Sequence, residues 1–501
     1  MTTYCYTNQL SYQAGDEIFF HLSTSAAPCT LEISRWGAER VQIYQQHGLK
    51  AKDHPTPDNA STHGCGWPVA FSLKVPKEWP SGYYSVIVRS DQGEVWEHFF
   101  VVRSPNPGKE NRILLQLATN TYQAYNAWGG SCLYGGSKGL VHQVSFQRPF
   151  QPGLLTKLPD SPRMALTDRA ALGFAGAVRY PARDWAEATD MERRWVPSAG
   201  YGGWEQRFVA WAEKNGFGLD FAINSDLERH PQILENYSLI VSVGHDEYWS
   251  WGMRDAIENY IADGGNVAFF SGNTCFWQVR WEDAGDTMVC YKYDCKADPI
   301  LGTADERFLS SIWSDHVVKR PENSLTGVSF TRGGYARFGA AVPRGSGGYT
   351  VWRPAHWVFD ETGLEYGDQF GDAEAIVGYE CDGCEIQLLN GLPVPTHADG
   401  TPAGFTILGT SPATLAERVE KYSEEIYLRL EDLDFCAERV FGVLNEENKA
   451  KIVHGNAVMG MYEAGGTVFT TGCTEWAYGL AAQNPFVEQI TRNLLKRLSA
   501  K

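Results

Sequence analysis

The run Leu239-Ile-Val-Ser-Val-Gly244-His245-Asp246-Glu247-Tyr248-Trp249 places an imidazole and two carboxyls directly after a short stretch of strand-forming side chains. Elsewhere the chain offers Tyr125, Asn273 and a glycine-rich segment that also carries Tyr134. A carboxylate next to an imidazole is equipment for moving protons. A phenol loses its proton only near pH 10. It becomes a ligand where a strongly Lewis-acidic ion displaces that proton. Phenolate and carboxylate are hard oxygen donors, a set that suits ferric iron better than zinc or copper(I). On residue types alone, the same tyrosines serve equally well as hydrogen-bonded aromatic packing. Likewise Asp246 can be read as a helix cap and His245 as a satisfied core histidine.

Other chemistries lack their signatures. No GxSxG or GxCxG turn marks a nucleophile elbow. No P-loop is present, and no GxGxxG follows the first α/β strand, so a nucleotide is not at the centre of the site. There is no HExxH or HxH for a histidine-rich zinc site. Cys381-Asp-Gly-Cys384 has the spacing of half a zinc knuckle but no second pair beside it, and reads as a turn carrying two thiols.

The elements that must position these groups fall into two rhythms. Residues 1–105 alternate apolar and polar side chains in Glu17–Leu22, Thr30–Arg35, Tyr83–Arg89 and Val95–Val102, with turns at Gly15-Asp16 and Asp91-Gln-Gly. This predicts an all-β, immunoglobulin-like sandwich. Residues 106–111 form a polar, proline-containing linker. From residue 112 strands alternate with helices: strands at Arg112–Ala118, Leu219–Asn224, Leu239–Val243 and Asn266–Ser271, and helices at Phe208–Gly216 and Trp251–Gly265. That alternation predicts a doubly wound parallel sheet with ligands at the carboxyl ends of its strands. Tyr125, Glu247 and Asn273 then sit in loops after three different strands. The segment 119–136, with three tyrosines, a tryptophan and four glycines, reads as a crowded loop. Residues 281–455 read as an insertion covering the site, with Ala375–Glu380 as one of its strands. Two strands and a helix over Pro485–Leu498 close the 112–501 domain.

Composition limits the partners. A formal net charge of −17 over 501 residues opposes binding to nucleic acid or anionic membrane. No apolar run approaches the roughly 18–20 residues of a membrane span, and the amino terminus lacks a secretory pattern. The expected location is cytoplasmic, with most of the 11 cysteines as free thiols.

Longer motifs carry a resemblance. Thr121-Tyr-Gln-Ala-Tyr125-Asn-Ala-Trp-Gly-Gly-Ser-Cys-Leu-Tyr134, Gly244-His-Asp-Glu-Tyr-Trp249 and Phe269-Phe-Ser-Gly-Asn273-Thr-Cys-Phe-Trp-Gln-Val-Arg280 resemble the N,N-dimethylformamidase large (catalytic) subunit family. So does Gly472-Cys-Thr-Glu-Trp476-Ala-Tyr-Gly-Leu480 followed by Ile490-Thr-Arg-Asn493. The likeness spans roughly residues 110–500. It implies a glutamine-amidotransferase-like α/β domain behind the sandwich, and one mononuclear iron (Fe3+) on two tyrosines and a glutamate. Carried over motif by motif, Glu247 and Tyr125 are metal ligands. The second tyrosine is open, because relatives tend to read Arg-Pro-Tyr where this chain has Arg148-Pro149-Phe150. Tyr134 takes its place, with Tyr201 behind it. His245 and Asn273 match positions near the iron, and Glu380 matches a catalytic acidic residue.

The activity so implied is hydrolysis of the C–N bond of a small, linear, non-peptide amide such as a formamide. Glu380 would act as the proton carrier, Asn273 as oxyanion donor and His245 as orienting or proton-moving group. A homo-oligomer with a small partner subunit is the expected assembly. Phe150 motivates a rival reading, a non-catalytic or differently specialised member whose metal site is altered or lost.

Overall fold

The computed structural model describes residues 3–167, 180–189, 198–339, 346–415 and 431–500. The amino-terminal strands form two sheets. One holds Thr3–Thr7, Glu17–Thr24 and Val69–Lys74. The other runs Ser11–Tyr12, Val95–Val102, Gly82–Ser90, Cys29–Trp36 and Arg40–Leu49. Alternate side chains such as Ile18, Phe20 and Leu22 from the first sheet and Leu31, Ile33, Val86 and Val88 from the second share one core.

The second sheet also buries its other face. Tyr83 stacks on Tyr201 at 3.8 Å, and Phe99 meets Phe150 at 5.5 Å. Arg103 pairs with Asp226 at 2.6 Å and Arg35 with Glu213 at 2.7 Å. Tyr83, Phe99 and Val101 thereby belong to the same hydrophobic core as the α/β strands. The sandwich is packed onto the α/β part of the chain rather than tethered beside it.

Five parallel strands form one end of an 11-stranded sheet, in the spatial order Leu219–Ile223, Ile113–Leu117, Leu239–His245, Asn266–Gly272 and Gly466–Thr470. In chain order this is 2-1-3-4-5. Connections leave the first and third strands in opposite directions, which opens a crevice between their carboxyl ends. Both faces are covered. Leu115, Val241, Ala268 and Phe469 pack with the helices Glu205–Lys214 and Pro485–Leu498, while Leu114, Ile240, Val267 and Val468 pack with Trp251–Ala262. These near-continuous apolar runs are what two covered faces require.

Much of the stretch 281–455 extends this sheet. Thr406–Thr414, Ser329–Ala336 and Tyr379–Gly383 are added antiparallel beyond His454–Ala464. Residues 340–345 and 416–430 of that stretch lie outside the described residues.

Three local expectations change. The crowded segment begins with a helix, Thr119–Tyr125, buried throughout. Its glycines all lie later, from Gly129 onward, so the first seven residues contain no helix-breaking glycine or proline. The helix after the central strand is capped by Ser250, whose side chain accepts from the Met253 N–H, and not by Asp246. The edge strand starts at Tyr379 rather than Ala375. Before it the chain is turned back on itself, with the Ile376 N–H donating to the Gly371 carbonyl at 3.0 Å. Tyr379 itself has a positive φ of 60°, an uncommon conformation for a bulky residue.

Gly244 does not end its strand. His245 still pairs with Gly272, and Gly244 bends the strand with φ +81°. A Cβ there would lie 2.5 Å from Trp204 Cβ. Gly244→Ala should therefore cost about 2–4 kcal/mol. Denaturant titration checks this, and an unchanged midpoint would contradict it.

The Thr119–Tyr125 helix is fastened by Tyr122, which donates to the buried Glu205 carboxylate at 2.5 Å. Burial pushes the Glu205 carboxyl up to about 8. Between its unfolded value near 4.5 and about 8, the unfolded chain releases a proton that the folded chain keeps, so this residue's contribution falls as pH rises. Glu205→Gln should gain stability relative to the unaltered protein between pH 5 and pH 8. Parallel melts at the two pH values measure the difference, and a pH-independent difference would contradict the assignment.

Candidate active site

Separate elements deliver the reactive side chains to the crevice. The Thr119–Tyr125 helix ends on Tyr125, and the loop after it brings back Tyr134, whose ring stacks on that of Tyr125 at 4.3 Å. The bend at Gly244 turns His245 and Glu247 into the crevice. Asn273 follows the next strand with a left-handed φ of 50°, which asparagine tolerates. Glu380 comes from the edge strand. Tyr125, Tyr134, Glu247, Asn273 and Glu380 line one cavity of about 270 Å³ with Phe276, Trp277, Phe330, Tyr335 and Phe338, and His245 lies behind Glu247 and Glu380.

Buried polar groups fix this arrangement from below. Asp246 is fully buried and accepts from Gln116 Nε2, Ser242 Oγ and Asn224 Nδ2 at 2.8–3.1 Å, tying the turn to three strand ends. Asp382 accepts from the backbone N–H groups of Asn273 and Thr274 at 2.9 and 3.1 Å. That clamp holds Glu380 against the Asn273 turn and explains the Cys381-Asp-Gly-Cys384 segment without zinc. All 11 cysteines are free thiols. Arg148, fully buried, donates to the carbonyls of Ser145, Trp128 and Ser131, at 3.0, 2.5 and 3.3 Å, and so stitches the glycine-rich loop.

At the centre, His245 Nε2 lies 2.6 Å from Glu380 Oε2 and 3.3 Å from Glu247 Oε2. Its N–H is not aligned on either oxygen. Nδ1 donates to the Ser198 carbonyl at 2.7 Å, which fixes that nitrogen as protonated. Burial disfavours charge on the ring, but the two carboxylates outweigh it and raise the imidazole to about 9. Burial also raises Glu247, with His245 opposing and Glu380 adding to the rise.

Glu247 is held further by Trp277 Nε1 at 2.7 Å and by Tyr134 Oη, which donates at 3.0 and 3.1 Å to the two carboxylate oxygens. Behind Tyr134, Tyr248 donates to the Tyr134 hydroxyl at 2.8 Å, and Lys292 Nζ donates to Tyr248 at 2.9 Å. Lys292 Nζ also sits 3.0 Å from the Tyr134 ring centroid. Burial lowers this ammonium to about 8.

The expected site residues Tyr125, Tyr134, Glu247, His245, Asn273 and Glu380 therefore gather in one place. Tyr201 does not join them. It stacks on Tyr83 and donates to the Trp36 carbonyl at 2.7 Å, on the sandwich side. Phe150 is also remote, its ring packed against His98 at 5.7 Å and Phe99 at 5.5 Å. Asn273 gives one of its two amide N–H bonds to Glu380 Oε2 at 3.0 Å. Sequence reading missed Lys292, Tyr248 and Asp432. Only Tyr248, adjacent to Glu247, carried a positional hint.

Among the described residues no group of three or more His, Cys, Asp or Glu side chains is arranged to hold a metal ion. An ion here would depend on phenol oxygens. Burial first and Glu247 second hold Tyr125 and Tyr134 well above the ordinary phenol range, so both are neutral until a cation displaces their protons. Tyr134 Oη touches both Glu247 oxygens, and the Tyr125 ring stacks on that of Tyr134.

Known proteins were compared with the chain. Two curated relatives are N,N-dimethylformamidase beta subunits from Alcaligenes sp and Paracoccus aminophilus, each 25% identical over 231 residues. The match spans 43% of this chain and only 28% of either relative. Their names specify a beta subunit and do not carry the words large or catalytic. Solved structures resemble the chain only slightly. A fungal alcohol oxidase in complex with copper is 21% identical over 20% of each chain with a TM-score of 0.14, too little to bear on fold. Among the described residues no helix is long and apolar enough to cross a membrane. The family described as N,N-dimethylformamidase beta subunit-like, C-terminal, matches residues 30–489, and the chain belongs to that family.

Proposed function

We propose that the protein hydrolyses the C–N bond of a small linear amide of the formamide type, assisted by an iron ion. The observation that carries this reading is the contact of His245 with Glu247 and Glu380, two carboxylates that line an aromatic cavity. Membership of a family named for dimethylformamidase supports it. Tyr125, Tyr134 and Glu247 are the residues that would hold the ion. A bound ferric ion supplies Lewis acidity for the substrate carbonyl and for a water molecule.

The chain's own groups perform the rest. Glu380 takes the proton of the attacking water and returns it to the departing nitrogen, because an unprotonated amide nitrogen leaves poorly. The C–N bond then breaks to give a carboxylic acid and an amine. Asn273 orients Glu380 through its amide N–H. His245, as an imidazolium, balances Glu380 and Glu247 while protons move between them. Lys292, against the Tyr134 ring and bonded to Tyr248, favours negative charge on that phenol. Phe276 and Trp277 exclude water and accept the apolar substituents of the amide nitrogen.

The rival reading of a decayed site drew on Phe150, whose position on the sandwich side removes that motive. Two measurements test the proposal. Glu380→Gln should lower kcat on a dialkylformamide by about 10²–10⁴-fold with the melting temperature retained; unchanged turnover would remove Glu380 from the mechanism. Iron-loaded protein should show a visible phenolate-to-iron absorption, diminished or lost in Tyr125→Phe and in Tyr134→Phe, with metal content followed by mass spectrometry. A band indifferent to both substitutions would overturn the ligand set.

A further inference from the structure

The proposed hydrolysis leaves one part of the cavity unused. Asp432, in the Glu431–Phe441 helix, is buried and lines the same cavity as Glu247 and Glu380. Tyr293 Oη donates to its Oδ1 at 2.6 Å and Tyr335 Oη to its Oδ2 at 2.7 Å. Among the described residues, no second hydrogen bond reaches either oxygen. Among the described residues no lysine, arginine or histidine forms an ion pair with Asp432. Lys292 influences it through space but gives its hydrogen bond to Tyr248. Burial raises the Asp432 carboxyl, as expected for a carboxylate without a close cation.

Aromatic side chains line the cavity beside this carboxylate. Tyr293 meets Trp277 edge-on at 5.3 Å, and Tyr335 meets Phe330 and Phe338 at 5.2 Å each. A buried carboxylate among aromatic side chains attracts a weakly hydrated cation, the chemistry by which aromatic cages take substituted ammonium groups. The space is also generous. One water needs about 10–15 Å³ of such space, so about 270 Å³ accepts a molecule larger than a dimethylated formamide.

We propose that Asp432, Tyr293 and Tyr335 bind a substituted ammonium group of the substrate, so that the preferred amide carries a cationic amine a short chain away from the bond to be cleaved. This assignment rests on the hydrolase reading for the identity of the scissile bond, but not for the cation site itself.

The test compares two isosteres on the full-length protein: N-[2-(trimethylammonio)ethyl]formamide, and N-(3,3-dimethylbutyl)formamide, in which carbon replaces the charged nitrogen. Calorimetric titration should show the cation binding roughly tenfold more tightly or better. Asp432→Asn should bring the ratio towards one. Equal affinities in the unaltered protein, or a preference that survives Asp432→Asn, would overturn the cation site. A crystal structure of the cation complex needs no variant: ammonium against Asp432 supports the site, and ammonium elsewhere sinks it. If the cation binds selectively through Asp432 and neither amide is cleaved, the site stands and the hydrolase reading fails.

Discussion

Two carboxylates, Glu247 and Glu380, cannot stay charged side by side in a buried cavity unless something compensates them. His245 does so, with Nε2 within 3.3 Å of an oxygen from each. Every other feature of the site is arranged around that constraint. The Ser198 carbonyl holds the opposite ring nitrogen. Trp277 and Tyr134 supply hydrogen bonds to Glu247, and Asn273 supplies one to Glu380. The result is a charged group that can give or take a proton without leaving an unpaired ion behind.

The fold meets this constraint by bringing remote segments to one point. Glu247 and Asn273 follow adjacent parallel strands, whereas Glu380 comes from an antiparallel strand added at the far edge of the same sheet. Asp382 bridges the gap by clamping the Asn273 turn. Asp246 serves the opposite side, anchoring the His245–Glu247 turn to its neighbours. Both acids are buried and spend their hydrogen bonds on backbone and side-chain donors of the strands and turns around them, which suits positioning better than chemistry.

How far the sequence could be read depended on how local the determinant was. The buried strands and the final helix over Pro485–Leu498 announce themselves through apolar periodicity and a proline at the first turn. Gly244-His-Asp-Glu and Asn273 lie at strand ends, where polar residues after an apolar run are conspicuous. Lys292 and Asp432 were not legible, because each acquires meaning only through contacts with Tyr248, Tyr293 and Tyr335, all far from it or unremarkable in the chain. Tyr201 and Phe150 misled for the same reason: composition shows an aromatic ring but not the direction in which packing against the sandwich turns it. The Thr119–Tyr125 helix was obscured by averaging it with the glycines that follow.

The charge state of His245 is the most direct measure of the account. Nitrogen-15 NMR of iron-free protein labelled at histidine should show both ring nitrogens of His245 protonated at pH 7, titrating near 9, with the signal assigned by its loss in His245→Gln. A His245 ring that is neutral at pH 7 and titrates at or below the ordinary histidine value of about 6.5 would contradict the compensated pair of carboxylates on which the site is built.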